Sequence, residues 1–161
     1  LFFPLKISSS EKSCNDIQEY NGFYVLKYTF VKFTGECLLY DGNGYLIEQR
    51  SFKGGEKNGK FLTFRDKKNF EIYYMKNNEL DGLFESFRNE RLVKKIKYND
   101  GELINCEISL LEIMSKEKEL IILQEQYIKE KSNRELKKKI INIDETLMSD
   151  KESCTIKEII R

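Results

Sequence analysis

The sequence predicts an α+β protein in which an antiparallel β-meander of repeated hairpins, forming a single curved sheet, is followed by C-terminal helices. Between Gly35 and Asn105 a phrase of aromatic, polar and glycine residues recurs at a fixed period, which indicates a repeat array. After Asn105 glycine disappears and Glu, Lys, Leu and Ile dominate, which favours helices. The 161 residues suit one folded unit. We divide it into a loosely ordered leader at 1–16, a repeat array at 17–106 and a helical cap at 107–161.

The period is clearest in the turns that end each copy. Glu56, Glu79 and Glu102 occupy the same place in three successive copies, at a step of 23 residues. A shorter, imperfect copy beginning at Ile17 precedes them. A single copy cannot bury its own apolar face, so neighbouring copies are expected to stack into one continuous core.

Each of the three full copies is predicted to contain two strands joined by a polar turn. The first strands cover 36–40, 60–65 and 83–88, and the second strands cover 45–53, 70–76 and 92–98. The turns cover 41–44, 66–69 and 89–91, of which only the first contains glycine. Because the connections are only a few residues long, consecutive strands can pair only as antiparallel neighbours.

Aligning the copies gives four columns of mostly apolar residues, which we interpret as core. They are Cys37, Phe61 and Phe84; Tyr40, Phe64 and Phe87; Ile47, Phe70 and Val93; and Phe52, Met75 and Tyr98. The spacing from Phe61 to Phe64 is odd, so the columns cannot all lie on one face of a flat strand. Either the strands carry bulges or both faces of the sheet bear aromatic residues.

The C-terminal third predicts helices that close the array. A long amphipathic helix is expected from about 107 to 131, a second one capped by Ser132 or Asn133 through Ile141, and a short last one capped by Ser153 or Thr155. We expect part of an apolar stripe to pack on the last repeats; the stripe consists of Leu111, Met114, Ile121 and Ile128. The additional apolar residues Leu120, Ile122 and Leu123 suggest a second contact, either with the later helix or with another copy of the protein.

Cysteine and histidine usage restricts the chemistry. The four cysteines at 14, 37, 106 and 154 lack the paired spacing of zinc sites, and we interpret them as buried free thiols. The alternative is a disulfide that joins the two ends of the chain. With no histidine in the sequence, imidazole-based catalysis and histidine metal sites are excluded. We predict no enzymatic activity, no cofactor and no metal.

The first ten residues leave the compartment open. Leu1 to Leu5 are mostly apolar and precede Ser8 to Ser10, a pattern that fits either the end of a signal peptide or an ordinary first strand or frayed terminus. The first reading implies a secreted or periplasmic protein. Otherwise the cytoplasm is favoured.

The repeat resembles a known bacterial family. One copy carries the pattern in Gly59, Phe61, Phe64, Met75, Lys76 and Glu79, and the next carries it in Gly82, Phe84, Phe87, Tyr98, Gly101 and Glu102. This pattern resembles the MORN-variant repeat of bacterial proteins, some of which are antitoxins of toxin–antitoxin systems. The resemblance covers about 17–105 and implies a hairpin-repeat sheet with an antitoxin-like role. Asn78 stands where the family has a turn glycine, and Cys37 stands where it has an aromatic residue.

We therefore predict a non-enzymatic protein–protein interaction module, antitoxin-like or immunity-like, which binds its partner on the open face of the sheet. The candidate contacts are the turn residues Asp41, Asn43, Glu56, Lys57, Asn77, Asn78, Asp100 and Glu102. The alternative function is a module that binds the cell envelope or a membrane surface. A formal net charge of +1 argues against nucleic acid and against anionic lipid. Self-association through the C-terminal helix is a further expectation.

Overall fold

The computed structural model describes residues 12–130 and 133–157 and confirms the predicted α+β class. The interpretations of residues 1–10 and of Ser132 as a cap lie outside the described residues. The strands are β1 (Lys12–Ser13), β2 (Ile17–Tyr20), β3 (Phe23–Leu26), β4 (Gly35–Tyr40), β5 (Leu46–Lys53), β6 (Glu56–Lys57), β7 (Gly59–Phe64), β8 (Phe70–Lys76), β9 (Glu79–Arg88), β10 (Arg91–Asn99), β11 (Glu102–Ser109) and β12 (Thr155–Lys157). The helices are α1 (Leu110–Lys129) and α2 (Arg134–Ser153), and a 3₁₀ turn covers Cys14–Asp16.

The main sheet has ten strands and is the predicted meander. Its order is β1-β4-β5-β7-β8-β9-β10-β11-β12, with β6 beside β5. All pairs from β4 to β11 are antiparallel, whereas the edge strands β1 and β12 lie parallel to their neighbours β4 and β11. The shorter first copy forms a separate hairpin of β2 and β3, which is held to the array by a hydrogen bond from the Tyr24 N–H to the Gly55 carbonyl at 2.7 Å.

The array begins before its predicted start and ends after its predicted end. Residues 12–16, which the sequence places in a loose leader, form β1 and the 3₁₀ turn. At the other end β11 continues to Ser109, beyond the predicted boundary at 106. The reason is that Ile108 pairs with Lys94 of β10 and is fully buried, so the chain stays in the sheet until Ser109 caps α1.

A row of bulky side chains crosses the sheet and forms its core. Phe61, Tyr73 and Phe84 are direct partners on successive strands, with ring centroids 5.4 and 6.0 Å apart, and Ile96 and Cys106 continue the row. Phe61 is 2% exposed and Ile96 is 6% exposed. Stacking across strands therefore supplies the core that a single copy could not form.

A second aromatic row lies on the other face. Phe70 stacks on Phe87 with centroids 4.6 Å apart and lies 5.5 Å from Phe64. The pairing of β7 with β8 has no bulge from Gly59 to Phe64, so alternation puts Phe61 and Phe64 on opposite faces. Of the two alternatives left by the sequence, aromatic residues on both faces explains this part of the array. Tyr40, assigned to the same column as Phe64, is 51% exposed and is not a core residue.

The helices form a hairpin whose buried face differs from the predicted one. Leu111, Met114, Ile121 and Ile128 are 60%, 54%, 55% and 70% exposed, so the prediction that they pack on the repeats is wrong. The buried side is one residue earlier: Ile113 and Leu120 pack against Ile108 of the sheet and Leu147 of α2. That side also carries the long side chain of Lys116, which reaches a buried carboxylate described below.

The second helix is longer than predicted, and the last predicted helix is a strand. α2 begins after Asn133, whose side chain accepts hydrogen bonds from the N–H groups of Glu135 and Leu136, and it continues to Ser153 instead of ending at Ile141. Residues Thr155–Lys157 do not form the predicted short helix; they pair with β11 as β12. No helix in the described part of the chain is long and apolar enough to cross a membrane.

All four cysteines are in disulfides, so the interpretation as free thiols is wrong. Cys14 is bonded to Cys37 and Cys106 to Cys154. Neither bond joins the two ends of the chain. Each one fixes a short parallel edge strand to its neighbour in the sheet, β1 to β4 and β12 to β11. Sequence spacing could not indicate these pairs because the partners become neighbours only when the edge strands pair.

Candidate binding cleft

The sequence-predicted site residues are turn residues, and the structure divides them between the two ends of the sheet. Asp41 and Asn43 lie in the turn between β4 and β5. The other six lie at the opposite ends of the strands, in or beside the turns that follow β5, β8 and β10: Glu56, Lys57, Asn77, Asn78, Asp100 and Glu102. They therefore do not form one continuous surface.

Several of these turn residues hold neighbouring turns together. The Lys57 N–H donates to the Asn78 side-chain oxygen at 2.8 Å, and the Asn78 N–H donates back to the Lys57 carbonyl at 3.0 Å. One repeat further on, the Asp100 N–H donates to the Asp81 carboxylate at 3.2 Å, and Asp100 accepts from Lys76 Nζ at 2.8 Å. The asparagine and aspartate side chains here stabilise the repeat, and their role in binding stays a prediction.

Asp41 has a similar local function at the other end. Its carboxylate accepts hydrogen bonds from the backbone N–H groups of Tyr45 and Asn43, both at 2.9 Å. The bond from Tyr45 is the main reason that the pKa of Asp41 lies below its ordinary value of 3.8. The ionised side chain thus fixes the turn, as aspartate commonly does.

A cleft at the Asp41 end of the sheet is a better candidate for a binding site. It lies between the strand ends and the helical hairpin and has a volume of about 1310 Å³. The sheet contributes Arg65, Asn69, Arg88, Asn89, Arg91, Leu92, Val93 and Ser109; α1 contributes Leu111, Glu112, Ser115, Lys116 and Glu119; and α2 contributes Asn142, Ile143 and Thr146. We call this the arginine cleft. Most of the lining is polar or charged, and its apolar members are Leu92, Val93, Leu111 and Ile143.

The three arginines come from the same end of neighbouring hairpins. Arg65 follows β7, Arg88 ends β9 and Arg91 begins β10, where it is the direct cross-strand partner of Arg88. The turn between these two consists of Asn89 and Glu90, both with positive φ, which is the conformation of a tight two-residue hairpin turn. The hairpin geometry therefore places these two arginines opposite each other on adjacent strands, and both line the cleft.

A network of charged groups connects the lining residues Arg88, Glu112 and Lys116 with the buried Asp150. Asp150 is 3% exposed and accepts hydrogen bonds from Lys94 Nζ of the sheet and Lys116 Nζ of α1, each at 2.5 Å. Glu112 lies 4.0 Å from Lys116 and 3.8 Å from Arg88. The network joins β9, β10, α1 and α2, so it fixes the position of the helical hairpin and with it the width of the cleft.

The charge state of Asp150 follows from these partners. Burial raises the pKa of this carboxyl, but the hydrogen bonds from Lys116 and Lys94, together with their charges, outweigh burial and hold the pKa below its ordinary value of 3.8. Asp150 is therefore ionised at neutral pH. Its negative charge is fully engaged by two lysines and is not available as a general base.

A smaller cavity of about 280 Å³ adjoins the cleft and shares Arg65, Asn69 and Arg88 with it. Its other lining residues include Phe64, Phe70 and Phe87, the second aromatic row. These rings are half-buried, and their row lies on the face of the sheet opposite the core row that packs under the helices.

Sequence reasoning missed this site, although one signal was present. Arg65 and Arg88 are 23 residues apart and directly follow Phe64 and Phe87, so they occupy equivalent places in successive copies. A basic residue that recurs at the end of successive strands indicates a row of positive charge along that end of the sheet. The contribution of α1 and α2 had no such signal because it depends on how the hairpin docks.

Two further observations bear on the chemistry of the molecule. Within residues 12–130 and 133–157, no group of three or more cysteine, aspartate or glutamate side chains is arranged to hold a metal ion. In comparisons with known proteins, no protein-family model, no curated protein and no solved structure matches the chain.

Proposed function

We propose that the protein is a non-enzymatic protein–protein interaction module that binds its partner in the arginine cleft. The observation that carries the proposal is the cleft itself, in which three arginines and the apolar side chains of Leu92, Leu111 and Ile143 line one recess of about 1310 Å³. Extended surfaces of repeat arrays suit binding, and arginine is enriched where proteins bind each other. An antitoxin-like or immunity-like role for a MORN-variant repeat protein is the form of this proposal that the sequence resemblance favours.

The turn residues have a supporting role in this proposal. The sequence predicted a partner on the open face and turns of the sheet, but the turns that are hydrogen-bonded to each other are better suited to keep the repeat rigid. Self-association through the exposed apolar side of α1 stays a prediction of the sequence.

A second candidate, binding at the cell envelope, gains support from the disulfides. Disulfides form and persist in oxidising compartments and are rare in the cytosol of ordinary cells. The bonds Cys14–Cys37 and Cys106–Cys154 therefore favour a protein that folds outside a reducing cytosol. We propose that the partner is met there, which fits either an envelope component or a secreted protein.

Site-specific photocrosslinking in the native source tests the binding proposal. A benzophenone amino acid in place of Leu111, on the wall of the cleft, is expected to crosslink to one discrete protein. The matched control carries the same group in place of Tyr74, which is 41% exposed and lies on the other face of the sheet from Tyr73. Crosslinking only at Tyr74 would move the binding site to the open face. No crosslink at either position would count against an interaction module.

A further inference from the structure

We propose that the arginine cleft recognises an acidic peptide segment, with Arg65 and Arg91 pairing with its carboxylates and the apolar walls receiving side chains between them. This inference rests on the proposed function and specifies the chemistry of its partner. It begins from the charge of the cleft, which is not balanced within the described part of the protein.

Within the described residues, two of the three arginines form no salt bridge. The charge of Arg65 does act on the adjacent Asp66, whose pKa is lowered mainly by the hydrogen bond from the Asn69 side chain and also by this arginine. Arg88 faces Glu112 at 3.8 Å. For Arg65 and Arg91, no carboxylate lies within 4.0 Å in residues 12–130 and 133–157. Both guanidinium groups belong to exposed residues beside the cleft. They are therefore accessible to an anionic ligand.

The pairing of Arg88 with Arg91 is itself unfavourable for the free protein. The two residues are direct partners across the β9–β10 hairpin, and like charges in opposed positions destabilise a strand pair. Glu112 compensates one of them. A carboxylate bound at Arg91 would compensate the charge of the other. Binding of an anionic ligand would therefore relieve the repulsion between the two arginines. Arginine also suits this role because its planar fork binds carboxylates with two hydrogen bonds.

The remaining lining favours a peptide over a single small anion. The volume of about 1310 Å³ exceeds that of ordinary small-molecule pockets. Leu92, Leu111 and Ile143 provide apolar contacts between the charged positions. A segment in which acidic and apolar residues alternate would satisfy both kinds of surface.

The same lining disfavours a nucleic acid strand. Glu112 and Glu119 are part of the wall, where they would face the continuous charge of a phosphate backbone. The formal net charge of +1 provides little of the counterion release that drives nucleic acid binding. Separate carboxylates can be placed at the arginines and away from the two glutamates, whereas the phosphates of a strand cannot.

Fluorescence anisotropy with the disulfide-bonded protein tests this inference. The probe is a fluorescein-labelled peptide of about ten alternating Glu and Leu residues, and the same length of alternating Lys and Leu is the control peptide. We expect binding of the acidic probe only, weakening as NaCl rises from roughly 50 to 500 mM. The double variant Arg65→Gln/Arg91→Gln should weaken binding at least about tenfold, since hydrogen bonds between charged groups are lost.

The matched control removes the same charge elsewhere. Lys53→Gln/Lys60→Gln alters two exposed lysines of the array that do not line the cleft, and its affinity should stay within about twofold of the wild type. Equal weakening by both double variants would overturn the inference, as would equal binding of the basic peptide or tighter binding of a labelled oligothymidylate of the same length. A crosslink at Leu111 without binding of the acidic peptide would leave the interaction module standing and reject only this partner chemistry.

Discussion

Asp150 is the residue on which the position of the helical hairpin depends. Its carboxylate is buried and is bound by Lys94 from the sheet and Lys116 from α1, each at 2.5 Å. A buried ion pair stabilises a protein little more than apolar residues of the same shape would. Removing one partner, however, leaves an uncompensated buried charge and destabilises the protein strongly. The interaction therefore specifies where the hairpin docks.

Replacing this carboxylate should destabilise the protein strongly. Asp150→Asn leaves Lys94 and Lys116 beside each other without an anion, and we expect it to lower the free energy of unfolding by about 3 kcal/mol. Urea denaturation measures the change. The control is Glu117→Gln, which removes the exposed pair with Lys151 on the same helices and should cost at most about 1 kcal/mol. Equal losses for the two variants would contradict this role of Asp150.

The stabilisation by Asp150 should depend on pH in one direction. Its pKa in the folded protein is below the ordinary value of 3.8, so the folded state binds the proton less readily than the unfolded state. The contribution is then fully present above the ordinary pKa and is lost as pH falls through the folded pKa. The difference in unfolding free energy between wild type and Asp150→Asn should be constant between about pH 7 and 5 and shrink below about pH 4. A difference that grows in acid would contradict this sign.

At the scale of the elements, the two edges of the sheet are closed in the same way. β1 pairs with β4 and β12 pairs with β11, both parallel, and a disulfide holds each of these pairs. Exposed sheet edges promote association with other strands, so short tethered edge strands protect the array. Strands of two or three residues are too short to stay in place by backbone hydrogen bonds alone, which explains why each is tethered.

Removing one disulfide should release the edge strand that it holds and leave the edge strand at the other side of the sheet in place. In Cys106→Ala/Cys154→Ala we expect faster amide hydrogen exchange in 107–109 and 155–157 and a stability loss of about 2–4 kcal/mol. Hydrogen exchange read by mass spectrometry gives the location. Cys14→Ala/Cys37→Ala is the matched control, with the change confined to β1 and β4. Faster exchange at the far edge in either variant would show that the two caps are not independent.

At the scale of the whole molecule, the repeated hairpins could be predicted from the sequence, but the short strands that cover the two edges of the array could not. The 23-residue period and the short connections predicted the strands from Gly35 to Asn99 to within a few residues, because local turn chemistry and alternation determine antiparallel hairpins. The edge strands β1 and β12 were missed because they consist of two and three residues whose pairing is set by distant cysteines.

The helices could likewise be predicted only in part from the sequence. Their existence and the cap at Asn133 were readable from composition, but the buried side of α1 was placed one residue away. α1 has apolar residues on more than one side, so its pattern alone could not select Ile113 and Leu120 over Met114 and Ile121. The selection comes from contacts with α2 and with the sheet, including Lys116 with Asp150. The arginine cleft is a product of that docking and could not be derived before it.

The most direct test of this architecture is the disulfide map of the protein isolated from its native source under alkylating, non-reducing conditions. Trypsin would place the four cysteines in separate peptides, 13–27, 33–50, 98–116 and 152–157. A sheet closed at both edges predicts that 13–27 is linked to 33–50 and that 98–116 is linked to 152–157, with no alkylated thiol. Four alkylated cysteines, or a link between 13–27 and 152–157, would contradict the closed sheet and the docked hairpin that together form the arginine cleft.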